Sequence, residues 1–134
     1  MRISFTGTRD GMSLNQKVNL VNLLNIYKPE SFSHGCFIGA DIEAHQIVRE
    51  TLGFTCDILV YPSNHPTTKA LIPNDSDYVA PCKNPLERNK DIINNGKDLL
   101  IACPKANKEI LRSGTWAAIR YARKNNIKVI VIGR

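Results

Sequence analysis

Leu99-Leu100-Ile101-Ala102, then Arg112-Ser113-Gly114-Thr115-Trp116-Ala117-Ala118-Ile119-Arg120-Tyr121-Ala122, then Val129-Ile130-Val131-Ile132: the reading of this stretch decides the fold. The first and last segments are unbroken apolar runs of strand length. Between them a small turn, Ser113-Gly114-Thr115, runs straight into an apolar pattern of helical period. A strand, a loop, a helix and a strand make the crossover unit that parallel strands require. Strands buried on both faces lose the alternation of apolar and polar residues, as these do. The turn also sets the bare amides of a helix N-terminus where an anion can meet them.

Working outward, the same unit repeats. Arg2 to Phe5 reads as a first strand, followed by the glycine- and hydroxyl-rich loop Thr6 to Gly11. Ser13 with Gln16 three residues on is a capping box. It opens a helix whose apolar stripe is Leu14, Val18, Val21 and Leu24, with Leu20 and Leu23 beside it, ended by Pro29. A short strand around Phe32 leads to the loop from His34 to Asp41, then a helix from Asp41 to Leu52 with Ile42, Ile47, Val48 and Leu52 toward the core. Gly53 suits its C-terminus. Cys56 to Tyr61 reads as a strand stopped by Pro62. Ser63 to Pro85 is proline-rich and reads mostly as loop, with a short edge strand at Tyr78-Val79. Asn84-Pro85 starts a helix, and Asn95-Gly96 closes it. The expectation is one domain, residues 1–134, of α/β class: a Rossmann-like three-layer sandwich with a mostly parallel sheet and helices on both faces.

Composition narrows the possible roles. No run approaches the roughly 20 apolar residues of a membrane helix, so no membrane partner is expected. The N-terminal apolar run is too short for a signal peptide. Cys36, Cys56, Cys82 and Cys103 show no C-x-x-C spacing, so neither a zinc site nor any other metal is expected. Free thiols and a cytoplasmic location follow. Cys56 and Cys103 read as core, and Cys36, in a glycine-rich loop, as a pocket-lining residue. Eighteen Lys and Arg against 12 acids give +6, which favours an anionic partner. The basic residues form no run and are not interleaved with aromatics, so nucleic acid lacks a supporting pattern.

Ligands of open parallel sheets bind at the carboxyl ends of the strands. Three loops there have the composition of a phosphate cradle: Thr6 to Gly11, Gly35 to Asp41, and Ser113 to Thr115. Each precedes a helix. None matches G-x-x-x-x-G-K-[ST] or G-x-G-x-x-G, and no cofactor is called for. By loop position the carboxylates nearest for N-glycoside chemistry are Asp10, Asp41 and Glu43; Asp10 more plainly orders its own turn, which leaves Asp41 and Glu43 if the protein is an enzyme. Their plainer roles are helix N-cap and dipole partner. His34 and His45 lack a metal-ligand set and read as structural. Trp116 reads as an anchor for the last helix.

The order Phe5-Thr6-Gly7-Thr8-Arg9-Asp10, His34-Gly35, Gly39-Ala40-Asp41, Tyr61-Pro62, Glu87-Arg88-Asn89 and Ser113-Gly114-Thr115 resembles the SLOG superfamily, which includes the DprA DNA-processing proteins and the Lonely Guy nucleotide phosphoribohydrolases. The resemblance covers nearly the whole chain and is nearest to small bacterial and phage members. It implies a nucleotide-type ligand. Gly7, Thr8 and Arg9 would then line the base or phosphate site, Gly39 and Asp41 the second wall, Arg88 would touch the ligand, and Gly114-Thr115 would bind phosphate. Lonely Guy enzymes carry P-G-G-x-G-T-x-x-E, and here Ala118 stands in place of the glutamate. The resemblance thus implies sensing, sequestering or regulation, including a phage sponge for a nucleotide immune signal. The alternatives are a nucleotide N-glycosidase and a DprA-like DNA-binding module. It also implies a homodimer or larger homo-oligomer, served by apolar side chains exposed on the last helix.

Overall fold

The strand at Leu99–Cys103 is buried at all five residues. Its side chains divide by the period of two that a strand imposes. Leu99, Ile101 and Cys103 enter one apolar cluster, and Leu100 and Ala102 enter another. A strand that feeds two cores must be covered on both faces, which is the three-layer arrangement. The computed structural model describes residues 1–65 and 71–134. Residues 66–70, part of the long stretch expected to be loop, lie outside them.

In chain order the elements are β1 (Arg2–Gly7), α1 (Leu14–Tyr27), β2 (Ser31–His34), α2 (Ala40–Leu52), β3 (Asp57–Val60), β4 (Tyr78–Val79), α3 (Pro85–Asn95), β5 (Leu99–Cys103), α4 (Gly114–Lys124) and β6 (Val129–Val131). The six strands form one sheet in the order β4-β3-β2-β1-β5-β6, and every pairing is parallel. Helices α1 and α2 pack together over one face, on the cluster of Ile3, Phe5, Leu20, Leu24, Phe32 and Ile101. Helices α3 and α4 cover the other, on Ile93, Leu100, Trp116 and Ile119. The chain leaves β1 toward β2 on one side, while β5 pairs with β1 on the other. The strand order therefore reverses between β1 and β5, and a crevice opens beyond their carboxyl ends.

Helix α1 begins with the expected capping box: Gln16 N–H donates to Ser13 Oγ at 3.2 Å, and Ser13 N–H to Gln16 Oε1 at 3.0 Å. Its core face differs from the expected stripe. Leu14 and Val18 are exposed, and the buried positions are Gln16, Leu20 and Leu24. Apolar residues occur on every side of this helix, so periodicity alone does not single out a face. The choice falls to Gln16, whose Nε2 donates to Pro104 O and Ile132 O, both at 2.9 Å. A buried amide with two acceptors fixes the helix rotation more firmly than any one leucine. In α2 the fully buried positions include Ala44 and His45, while Ile42, Ile47 and Leu52 pack only partly against the core.

Trp116 is buried in the α3–α4 core, as expected of an anchor. The last helix exposes no large apolar side chain. The exposed ones lie on α1 (Leu14, Val18 and Ile26) and at scattered sites such as Phe54 and Leu111. None of the four helices of the described residues is long and apolar enough to cross a membrane.

Candidate functional site

A cavity of about 560 Å³ occupies the crevice where the strand order reverses. Its floor is Phe5, Thr6 and Gly7 at the end of β1, and its walls come from the loops after β1, β2 and β5 and from α3. The volume suits a mononucleotide-sized ligand. Four basic side chains line it, Arg9, Arg88, Lys105 and Arg112, against two acidic ones, Asp10 and Asp41. Lys105 pairs with Asp10 at 3.0 Å, and that contact holds the Asp10 carboxyl below its ordinary range. The lining therefore keeps a net positive charge.

Of the residues read from sequence, Gly7, Thr8, Arg9, Gly35, Asp41, Arg88, Ser113, Gly114 and Thr115 all line this one cavity. The three loops converge but are not equivalent. In the first, Thr8 N–H donates to Cys103 O (3.0 Å), Asp10 N–H to Thr8 Oγ1 (3.1 Å), Gly11 N–H to Thr8 O (3.2 Å) and Met12 N–H to Glu43 Oε1 (2.6 Å). In the second, Ala40 N–H, the first of α2, donates to Thr8 O at 3.0 Å. Those donors hold the loops to one another. The start of α4, like the Asp41 and Ile42 amides of α2, keeps free donors, although Ser113 N–H goes to Ile110 O at 3.2 Å. Ser113 caps α4 by accepting from Trp116 N–H at 3.4 Å, and the Gly114 and Thr115 amides have no acceptor among the described residues. A helix N-terminus with two amides lacking acceptors and a partial positive charge can receive an anion. Arg112 and Lys105 line the same cavity. The sequence reading passed over both; the signal was present, since both cations lie within the loop that ends in the Ser-Gly-Thr turn.

Opposite this helix end lies a buried pair of charges. Asp41 does not cap α2. Gly39 holds the N-cap, with φ 95° and ψ −123°, and the Asp41 carboxyl turns back to accept from Phe37 N–H at 3.1 Å and from the Gly35 backbone. Its other oxygen, Oδ1, is buried and has no hydrogen-bond partner among the described residues. Burial pushes the carboxyl up to about 6, against the pull of the Arg88 guanidinium. Arg88, on the first turn of α3, donates from Nη1 to Gly35 O at 2.7 Å and from Nε to Asn89 Oδ1 at 2.8 Å. Nη2 has no protein acceptor among the described residues. Gly35 permits this approach: a Cβ there would stand 2.4 Å from Arg88 Nη1.

Glu43 and Gly39 do not line the cavity. Glu43 accepts from Met12 N–H and pairs with Lys17 at 3.2 Å, which ties the start of α1 to α2. It faces away from any ligand in the crevice. Cys36 is also fully buried in the core and outside the lining, with burial pushing its thiol up to about 12.

The two histidines form a chain beneath the second wall. Cys36 N–H donates to His34 Nδ1 at 2.9 Å, which places the His34 proton on Nε2. That N–H donates to His45 Nδ1 at 2.9 Å, and His45 Nε2–H donates to Asp75 Oδ1 at 2.6 Å. Sequence gave each a structural role but not this union, because the partners lie 11 and 30 positions apart. Burial, then the neighbouring His45 and Arg88, push His34 down to about 3. Its neutral form therefore stabilises the fold above roughly pH 6.5, and that contribution drains away as pH falls toward 3. Asp41 acts in the opposite sense: its protonated form is favoured in the fold, so its contribution is present at about pH 4 and lost as pH rises through 6. An Asp41→Asn variant is therefore expected to be more stable than wild type at about pH 7 and to lose that advantage by about pH 4. Urea midpoints measured across this range check it; an advantage that is constant with pH would contradict it.

No protein-family model matches the chain, and no curated protein matches it. The fold and the crevice define a Rossmann-like α/β protein with a basic cavity at the carboxyl edge of its sheet.

Proposed function

We propose that this protein binds a nucleotide or nucleotide-derived ligand, with a phosphate on the Gly114 and Thr115 amides, in a sensing, sequestering or regulatory role. The observation that carries the reading is the pair of unspent amides at the N-terminus of α4, facing a mononucleotide-sized cavity lined by Arg9, Arg88, Lys105 and Arg112. Anion, dipole and guanidinium are complementary there. The resemblance of the glycine-loop motifs to the SLOG superfamily supports the same conclusion, and a sponge for a nucleotide signal is one form of it. A cavity enclosed by three loops suits a small molecule better than a DNA strand.

Gly114 supplies the test. A Cβ at this position would meet nothing within 4 Å, and alanine is the better residue inside a helix by about 1 kcal/mol. Gly114→Ala should leave stability unchanged or slightly raised, yet weaken nucleoside monophosphate binding about tenfold by holding the phosphate off the amides. Calorimetric titration alongside thermal melting reads both. Undiminished binding would remove the phosphate from this turn.

A second reading, nucleotide N-glycosidase, is favoured by one observation: a carboxyl raised to about 6 within the cavity. Such a group can donate a proton to a leaving base. With Glu43 turned away, Asp41 alone would carry the chemistry. Release of free base from nucleoside monophosphates, abolished in Asp41→Asn, is its mark. A homo-oligomer is also proposed, through the exposed side chains Leu14 and Val18 of α1 rather than through the last helix. A monomer mass by light scattering would discard it.

A further inference from the structure

The histidine chain beneath the second wall runs in one direction, and the backbone fixes that direction. A peptide N–H can only donate, so the bond from Cys36 N–H leaves His34 Nδ1 bare and puts the His34 proton on Nε2. His45 Nδ1 must then accept, and the His45 proton sits on Nε2 and goes to Asp75. Both rings are buried, His34 at 0% and His45 at 1% exposure. Asp75, half-exposed, is the end of the chain that meets solvent.

A second proton on either ring has no place. On His45 it would sit on Nδ1 and face the His34 N–H across 2.9 Å, donor against donor. His34 cannot yield by shifting its own proton to Nδ1, because the Cys36 N–H already points there. A second proton on His34 meets the same amide. His45 faces Asp75 and Asp77 from the segment before β4, Arg49 from its own helix, and His34 from β2. His34 faces His45 and, from α3, Arg88. Asp75 and Asp77 favour a charged His45, while burial and Arg49 oppose it, and the opposition is the stronger. Once charged, His45 keeps Asp75, since that bond becomes charge-assisted. Asp75 is held in place by Arg49 as well. The break therefore falls between the two rings.

The cavity wall hangs on the ring that is released. His34 Nδ1 holds the Cys36 amide, at a residue whose φ of 55° lies in the left-handed region. On either side of Cys36, Gly35 and Phe37 line the cavity. Gly35 O carries Arg88, and Phe37 N–H carries Asp41. We propose that the His34–His45–Asp75 chain is an acid-sensitive catch: uptake of one proton by His45 disconnects it from His34 and frees the Gly35–Asp41 wall, so that the ligand cavity loosens in acid. This goes beyond the nucleotide reading and does not depend on it. The closed wall is fully favoured above about pH 6.5, the ordinary histidine value. Opening that takes up one proton then gains about tenfold per pH unit as the pH falls.

The experiment uses the intact chain, labelled with nitrogen-15 and free of ligand, between about pH 7.5 and pH 4.5, which brackets histidine titration. Ring nitrogen spectra read the tautomer and charge of His34 and His45. Amide exchange, corrected for its intrinsic pH dependence, reads the protection of Cys36 and Phe37 against that of Leu100. At the upper end both rings should be neutral with the proton on Nε2. As His45 takes its charge, protection of Cys36 should fall about tenfold per pH unit, while Leu100 keeps its own. Glutamine at position 45 offers one acceptor and one donor and takes no proton. His45→Gln, with His34, Asp41 and His65 left in place, should make the protection of Cys36 independent of pH over this range. A proton on His34 Nδ1 near neutral pH would overturn the proposal, and so would a His45 that charges with Cys36 protection unchanged. A slope that survives in His45→Gln would take the catch from His45. The wild-type spectra and exchange decide the matter by themselves if the variant does not fold.

Discussion

Gly39→Ala is expected to lose about 3 kcal/mol or more of stability, and nucleotide binding with it. Two costs coincide. The residue sits at φ 95° and ψ −123°, a region that side chains rarely enter, at about 1–3 kcal/mol for a non-glycine residue. A Cβ there would also stand 2.3 Å from Arg9 O and 2.5 Å from Arg9 C. These are backbone atoms, which cannot rotate aside as the end of a side chain can. Relief requires the β1–α1 loop to retreat, and that loop carries the Thr8 carbonyl that receives the first amide of α2. Gly53→Ala is the matched control. Its φ is also positive, at 59°, but a Cβ there meets nothing within 4 Å. Its ψ of −134° puts it in the same glycine region as Gly39, so it should cost the backbone strain alone, about 1–3 kcal/mol. Urea unfolding of both variants separates conformational strain from collision. If Gly39→Ala proved no worse than Gly53→Ala, the close packing of the two loops would be refuted.

Arg88→Met should cost about 100-fold in nucleotide affinity and several kcal/mol in stability, since removing one member of a buried charge pair strands the other. The substitution keeps much of the apolar stem. It leaves Gly35 O without its donor and takes from Asp41 its compensating charge. The carboxyl should then titrate higher still, because burial remains and the opposing guanidinium is gone. Carbon-detected NMR of the Asp41 carboxyl reads that shift directly, and calorimetry reads the affinity. Arg88→Lys should recover the charge but not the geometry that reaches both Gly35 O and Asn89, since an ammonium lacks the planar fork. Wild-type affinity in Arg88→Met would show that the ligand does not use this wall.

Part of the architecture could be read from the chain, because a strand covered on both faces, such as β5, is apolar throughout, although the equally buried β2, Ser31–His34, is mostly polar. Leu99 to Ala102 needed no partner to be recognised, and the Ser13–Gln16 box and Asn84-Pro85 marked their helix starts through local hydrogen bonding and backbone restriction. The face of α1 could not be read in this way. Leu14, Val18, Leu20, Val21, Leu23 and Leu24 surround the helix, and a glutamine with two distant carbonyls selected among them. The site divides along the same line. Glycine and hydroxyl composition located three loops, and the cavity gathers residues from all three. Composition cannot say which amides are already spent: Ala40 N–H goes to Thr8 O, while Gly114 and Thr115 N–H have no acceptor among the described residues. Glu43 reads as a candidate carboxylate by its position beside the second loop, two residues from Asp41. On a helix that spacing points the two side chains in different directions, and Glu43 went to Met12. His34 and His45 gave no signal of their chain, since Asp75, which completes it, lies far along the sequence.

The first two turns of α2 meet four different parts of the molecule: Ala40 holds the Thr8 carbonyl, Asp41 the Phe37 amide, Glu43 the Met12 amide, and His45 joins His34 to Asp75. Most of these contacts span about 30 positions, and the Arg88–Gly35 contact spans 53. Closing such spans costs chain entropy before any contact repays it. The β1–β5 pairing that carries the cavity floor spans still more, from Ile3 to Leu99, so the cavity is expected to form only together with the complete sheet. It should also be the first region to open again. Amide exchange at Phe37 and Ala40, compared with Leu100 and Ile101 in β5, would measure that difference.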